Sequence, residues 1–141
     1  MADRQIKPLF TLVAGCLLVA TFGCGPRGPN YQDVHGKVTL DGSPLQFKSV
    51  YFAPEPGTAG MGAGAITVED GSYKLLAIAA GATHDIQGIQ AGSYRVVVAE
   101  PMIPKSPQMI PPPYTKRDST PLQVEVGKEG GEINLELRSR P

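Results

Sequence analysis

Tryptophan is absent from this 141-residue chain, and four phenylalanines and five tyrosines are its whole aromatic complement. A surface that recognises sugars by stacking flat rings on them has little to work with. Cysteine occurs only twice, as Cys16 and Cys24, so everything beyond residue 24 lacks both a disulfide and a thiolate metal site. Stability there has to come from a packed core. Neither sign of charge prevails, with 13 basic against 13 acidic residues, which removes the electrostatic reason to expect nucleic acid as a partner. No apolar run reaches the roughly 20 residues that a bilayer-spanning helix requires.

A shorter apolar run is present. It covers residues 9–22, follows Arg4 and Lys7, and ends at Gly23-Cys24. A basic start, an apolar stretch of this length and a small residue before a cysteine form the pattern of a bacterial lipoprotein signal peptide, removed on export. Two cysteines compete for the cleavage point. Val13-Ala14-Gly15-Cys16 is the better local match to a lipobox, whereas Thr21-Phe22-Gly23-Cys24 leaves an apolar region of normal length. Cys24 is preferred as the lipidation site, with Cys16 as the alternative, because cleavage before Cys16 would leave Leu17, Leu18, Val19 and Phe22 at the start of the tether. The domain boundaries expected are a signal peptide over 1–23, a flexible tether over 24–33 rich in Gly and Pro, and one β domain over 34–141. Ordinary secretion and an uncleaved anchor are the other readings of the segment, and all three put the domain outside the cytoplasm. A lipid-modified Cys24 would hold it on a membrane of the cell envelope, facing the periplasm or the exterior.

Seventeen glycines and fourteen prolines interrupt the chain too often for long helices, and short strands between tight turns tolerate them. From Val34, the residues Val34, Val38 and Leu40 alternate with His35, Lys37 and Thr39, the period-two signature of a half-buried strand, and Asp41-Gly42 turns it. Val50 and Phe52 share a face in the next strand, which Pro54 ends. Residues 57–64 read as a mobile glycine loop before a strand over 65–68. Glu69-Asp70-Gly71 is a hairpin signal, returning through a strand over 72–77 with Tyr73 and Leu75 inward. Residues 77–92 read as an irregular connection. Three further strands alternate around Tyr94, Val96 and Val98; around Leu122, Val124 and Val126; and around Ile133, Leu135 and Leu137. Seven strands at this spacing predict an all-β fold, two antiparallel sheets packed face to face as a seven-stranded β-sandwich. The stretch 100–121 carries seven prolines and is expected to cross the surface in extended form, pinned by Tyr114 with its ring buried and its hydroxyl in water.

Several of these segments together resemble a known family. Val38-Thr39-Leu40-Asp41-Gly42-Ser43-Pro44-Leu45, Val50-Tyr51-Phe52-Ala53-Pro54, Glu69-Asp70-Gly71-Ser72-Tyr73 and Ala91-Gly92-Ser93-Tyr94-Arg95-Val96 stand in the order of a carboxypeptidase regulatory-like, transthyretin-like domain of bacterial surface lipoproteins. The run from Ser119 to Val126 is also similar, while residues 77–89 depart from the pattern. The resemblance implies a transthyretin-like or Ig-like β-sandwich without catalytic activity and without an assigned ligand.

A catalytic reading must use His35 or His84. His35 lies on the polar face of the first strand, and a relative of this fold, the transthyretin-like hydrolase that opens a ureide ring, has a histidine near that place. That family ends in Tyr-Arg-Gly-Ser, whereas this chain ends in Arg138-Ser139-Arg140-Pro141. His84-Asp85 has no second histidine at ligand spacing. No Gly-x-Ser-x-Gly elbow occurs. The glycines of 57–64 lack the lysine and helix of a phosphate loop, and Glu69 with Asp70 supplies too few oxygens for calcium. The Pro-rich stretch, with Pro104, Pro107, Pro111, Pro112 and Pro113, has the polyproline character that partners recognise. The sequence therefore predicts a non-enzymatic, membrane-tethered binding or structural module, with no cofactor, whose partner is an envelope protein or a glycan. The alternatives are a small transthyretin-like hydrolase using His35 and a carbohydrate-binding module.

Overall fold

The computed structural model describes residues 28–140. Among them, regular structure is β throughout except for one 3-10 turn, Pro112–Thr115. The strands in chain order are β1 (Tyr31–Gln32), β2 (Val34–Leu40), β3 (Ser43–Pro44), β4 (Ser49–Pro54), β5 (Ala63–Ile66), β6 (Ser72–Lys74), β7 (Leu76–Ala77), β8 (Ile86–Gln87), β9 (Ile89–Gln90), β10 (Gly92–Ala99), β11 (Gln123–Val126), β12 (Gly131–Glu132) and β13 (Leu135–Leu137). The all-β class holds.

One sheet is antiparallel throughout, in the order β11-β10-β4-β5-β7-β8. The other is built around β2, with β3 and β6 antiparallel along one edge and β12 and β13 parallel along the opposite edge. The expectation of purely antiparallel pairing fails here. Alternation of apolar and polar residues specifies which face a side chain takes and is silent on strand direction. A separate two-stranded pairing joins β1 to β9. Among the described residues, regular structure thus begins at Tyr31 and buries Gln32, three residues before the boundary expected at Val34.

The inner faces of the two large sheets share one core. Val34 and Val38 from β2, Leu135 and Leu137 from β13 and Tyr73 from β6 meet Val50 and Phe52 from β4 and Tyr94, Val96 and Val98 from β10. Phe52 sits between two tyrosines, its ring centroid 6.1 Å from Tyr73 and 6.2 Å from Tyr94, in tilted contacts that aromatic quadrupoles favour. Each tyrosine hydroxyl is used: Tyr73 donates to the Ile133 carbonyl and Tyr94 to the Gln90 carbonyl, both at 2.6 Å. Burial raises the pKa of both phenols.

The strand expected over 72–77 divides. Its first half, β6, pairs with β2; its second half, β7, pairs with β5 in the other sheet. Leu75 is the crossing point, fully buried, its amide on Val34 and its carbonyl accepting from Gly88. The Glu69-Asp70-Gly71 turn is present, closed by Val68 and Ser72, yet the strands it joins belong to different sheets. One bent strand therefore stitches the two sheets along one side. The strand expected over 65–68 runs instead from Ala63 to Ile66, paired with β4, and the β4 backbone passes close to Gly62 just before it. A side chain at Gly62 would run into the Phe52 carbonyl.

The remaining loops are more tied than a reading of their glycines implies. Thr58, in the expected mobile loop, exchanges hydrogen bonds with Ser93 at 3.0 and 3.1 Å, and the Tyr51 hydroxyl reaches the Met61 carbonyl at 3.0 Å. The irregular connection over 77–92 contributes the two short strands β8 and β9. Asp41 and Gly42 form a two-residue hairpin turn, both with positive φ (50° and 83°), the backbone a right-twisted hairpin demands.

Candidate functional site

An open groove of about 780 Å³ lies on the outer surface, where the bent strand β6–β7 runs between β2 and β5. Its volume lies in the range of small-molecule sites. Because successive side chains of a strand point to opposite faces, the residues that alternate with the core of β2 come out here: His35, Lys37 and Thr39. They form one wall. Ile66 and Val68 form the other, and Leu76 closes one end; these aliphatics stay 59%, 52% and 37% exposed. The groove is thus polar on one side and aliphatic on the other.

The polar wall is ordered by strand register. His35 stands opposite Lys74 on β6 and beside Glu132 on β12. Lys37 stands opposite Ser72, and its amide donates to Asn134 Oδ1 at 2.9 Å while Asn134 Nδ2 donates to Glu132 Oε1 at 2.6 Å. Asn134 and Ile133 interrupt the strand that the sequence predicts over this stretch, splitting it into β12 and β13. Gly36 permits this, since a methyl group there would collide with the Ile133 carbonyl. Asp70 accepts from the Ser72 amide at 3.0 Å and from its hydroxyl, and these bonds, with a smaller contribution from Lys37, hold its carboxyl below the ordinary range. Lys37 lies 3.6 Å from Asp70 and Lys74 3.8 Å from Asp33, both as exposed, loose pairs. Pairs of that kind contribute little to stability and exchange partners at little cost.

Of the residues the sequence singles out, His35 lines the groove and His84 does not; His84 and Asp85 are exposed in the connection before β8. Cys16 and Cys24 lie outside the described residues. No cluster of three or more His, Cys, Asp or Glu side chains placed to hold a metal ion occurs among the described residues.

The Pro-rich crossover is clamped rather than merely laid on the surface. Lys48 is completely buried, and its ammonium donates to both carboxylate oxygens of Glu100 at 2.8 Å and to the Ser106 carbonyl at 3.2 Å. Gln108 adds two bonds, accepting from the Gln46 amide at 2.8 Å and donating to the Pro44 carbonyl at 2.9 Å. Tyr114 buries its ring as expected, but its hydroxyl accepts from the Arg138 amide at 2.9 Å instead of facing water. Met102, Ile103 and Met109 project outward. Sequence reasoning passed over Lys48, though the alternation of Phe52 and Val50, continued two residues back, places it on the core face.

No protein-family model, curated protein or solved structure matches this chain.

Proposed function

We propose that the protein is a membrane-tethered lipoprotein whose transthyretin-like, carboxypeptidase regulatory-like β-sandwich serves the cell envelope as a binding module without catalytic activity. The observation that carries the binding part is the preformed groove between β2 and β5, two-sided in chemistry and walled by strands whose backbones are already paired. A ligand laid there meets a backbone that is already ordered, which lowers the entropic cost of binding. The placement rests on the basic, apolar and Gly23-Cys24 pattern of the first 24 residues. Six residues of sequence separate Cys24 from Tyr31, where the first described strand begins. Such a tether reaches roughly 20 Å when extended, so the module would work close to the membrane surface.

Intact-mass measurement of protein extracted from membranes tests the anchor: a diacyl or triacyl adduct on a chain beginning at Cys24 is expected. A chain without adduct, or one retaining residue 1, overturns it. The hydrolase reading keeps one observation in its favour, since His35 lines the groove. Replacing His35 by Ala tests it, since a binding module has no ring-opening turnover to lose. Loss of a measurable ring-opening turnover on that substitution would replace this proposal with the enzymatic one.

A further inference from the structure

The two walls of the groove differ in a way that selects a ligand. His35 and Lys37 are two residues apart on one face of β2, about 7 Å along the strand, and Lys74 stands directly opposite His35. Three nitrogen-bearing side chains therefore converge on one part of the polar wall. The carboxylates nearby hold the two lysines only in loose, exposed pairs, which exchange partners at little cost. Asp70 takes both Ser72 donors on Oδ1 and faces Lys37 through Oδ2 at 3.6 Å; Asp33 meets Lys74 at 3.8 Å with both groups more than half exposed. Glu132 lies on the far side of His35 from Lys74 and is engaged by Asn134. Across the groove, Ile66, Val68 and Leu76 offer aliphatic surface without a polar atom in their side chains. The lysine stems can lie along an alkyl chain while their ammonium groups reach an anionic head.

We infer that the groove binds a single-chain anionic amphiphile, a fatty carboxylate, with its alkyl chain along Ile66, Val68 and Leu76 and its carboxylate between Lys37 and Lys74. This rests on the binding-module reading and names its ligand class. A cationic amphiphile would place its head against two lysines.

The test uses the full chain in phosphatidylcholine nanodiscs and a decanoate probe carrying a photoreactive diazirine near its methyl end, with labelled peptides mapped by mass spectrometry. Saturable labelling within residues 64–76 is expected, displaced by plain decanoate and not by decyltrimethylammonium. Replacing both Lys37 and Lys74 by Gln should weaken half-saturation by about tenfold with an unchanged melting temperature. Ile66→Ser should weaken it too, through the aliphatic wall. Equal displacement by the cationic amphiphile, or indifference to the lysine substitutions, overturns the anionic ligand while leaving a binding groove. Labelling spread along the chain, or concentrated at Met102 and Ile103, overturns the site itself. None of these outcomes bears on the lipid anchor, which the intact mass decides separately.

Discussion

Removing Glu100 should damage this protein more than removing the lysine it neutralises. Lys48 has no exposed side-chain surface, whereas Glu100 is 45% exposed. The two make a bidentate contact at 2.8 Å. Point charges at that separation attract by roughly 6 kcal/mol at an effective dielectric of 20, but desolvating the ammonium costs several kcal/mol and cancels much of this. In Glu100→Ala the ammonium keeps only the Ser106 carbonyl and is left in a buried site without a counter-charge. Losing one partner of a fully buried pair costs about 3–5 kcal/mol; solvent around Glu100 brings the expected loss down to about 2–3 kcal/mol. In Lys48→Met the charge disappears, an apolar chain of similar length fills the same channel, and Glu100 turns to water, for a cost of about 1 kcal/mol. The double substitution should resemble Lys48→Met alone. Urea unfolding midpoints at constant m-value measure all three, and in a domain of this size each kcal/mol corresponds to about 4 °C in melting temperature. Equal losses for the two single variants, or a larger loss for Lys48→Met, would refute the assignment of Lys48 as a buried cation dependent on Glu100.

Two further predictions concern the sheet around β2. Gly36→Ala should destabilise the fold by about 2–4 kcal/mol, because the added methyl group meets the Ile133 carbonyl, a rigid backbone atom that also accepts from Tyr73; chemical denaturation measures it, and a neutral substitution would contradict the close approach of β2 and the 133–134 break. Asp70 has its pKa lowered from 3.8 in the folded state, chiefly by the Ser72 hydroxyl and then the Ser72 amide. A depressed carboxylate contributes stability that is present above its unfolded pKa and is lost as pH falls through the folded value, so the wild type should lose stability below about pH 4 more steeply than Asp70→Asn. Parallel acid titrations of the two proteins would sink this idea.

Much of the fold was legible because alternation is a local property. β2, β4 and β10 follow the residue faces read from the sequence: Val34 and Val38, Val50 and Phe52, and Tyr94, Val96 and Val98 are all buried. The Asp41-Gly42 turn follows from the φ values its two residues tolerate. Chain direction was not legible. The parallel pairing of β12 and β13 with β2 places the same side chains on the same faces that an antiparallel pairing would. The candidate site was half legible: His35, Lys37 and Thr39 read as one polar face, but the aliphatic wall opposite them arises only where the bent strand passes from one sheet to the other at Leu75.

The sequence by itself determined which residues are buried along each long strand, where the chain turns tightly and, among the described residues, that no long helix forms, since these depend on contacts between near neighbours and on backbone freedom at single residues. The tertiary structure alone decided that strand 72–77 serves two sheets, that Lys48 is buried against Glu100, and that a polar wall faces an aliphatic one across a groove. These depend on backbone hydrogen bonds and charges brought together from distant parts of the chain, and no local pattern records which distant partner a strand will choose.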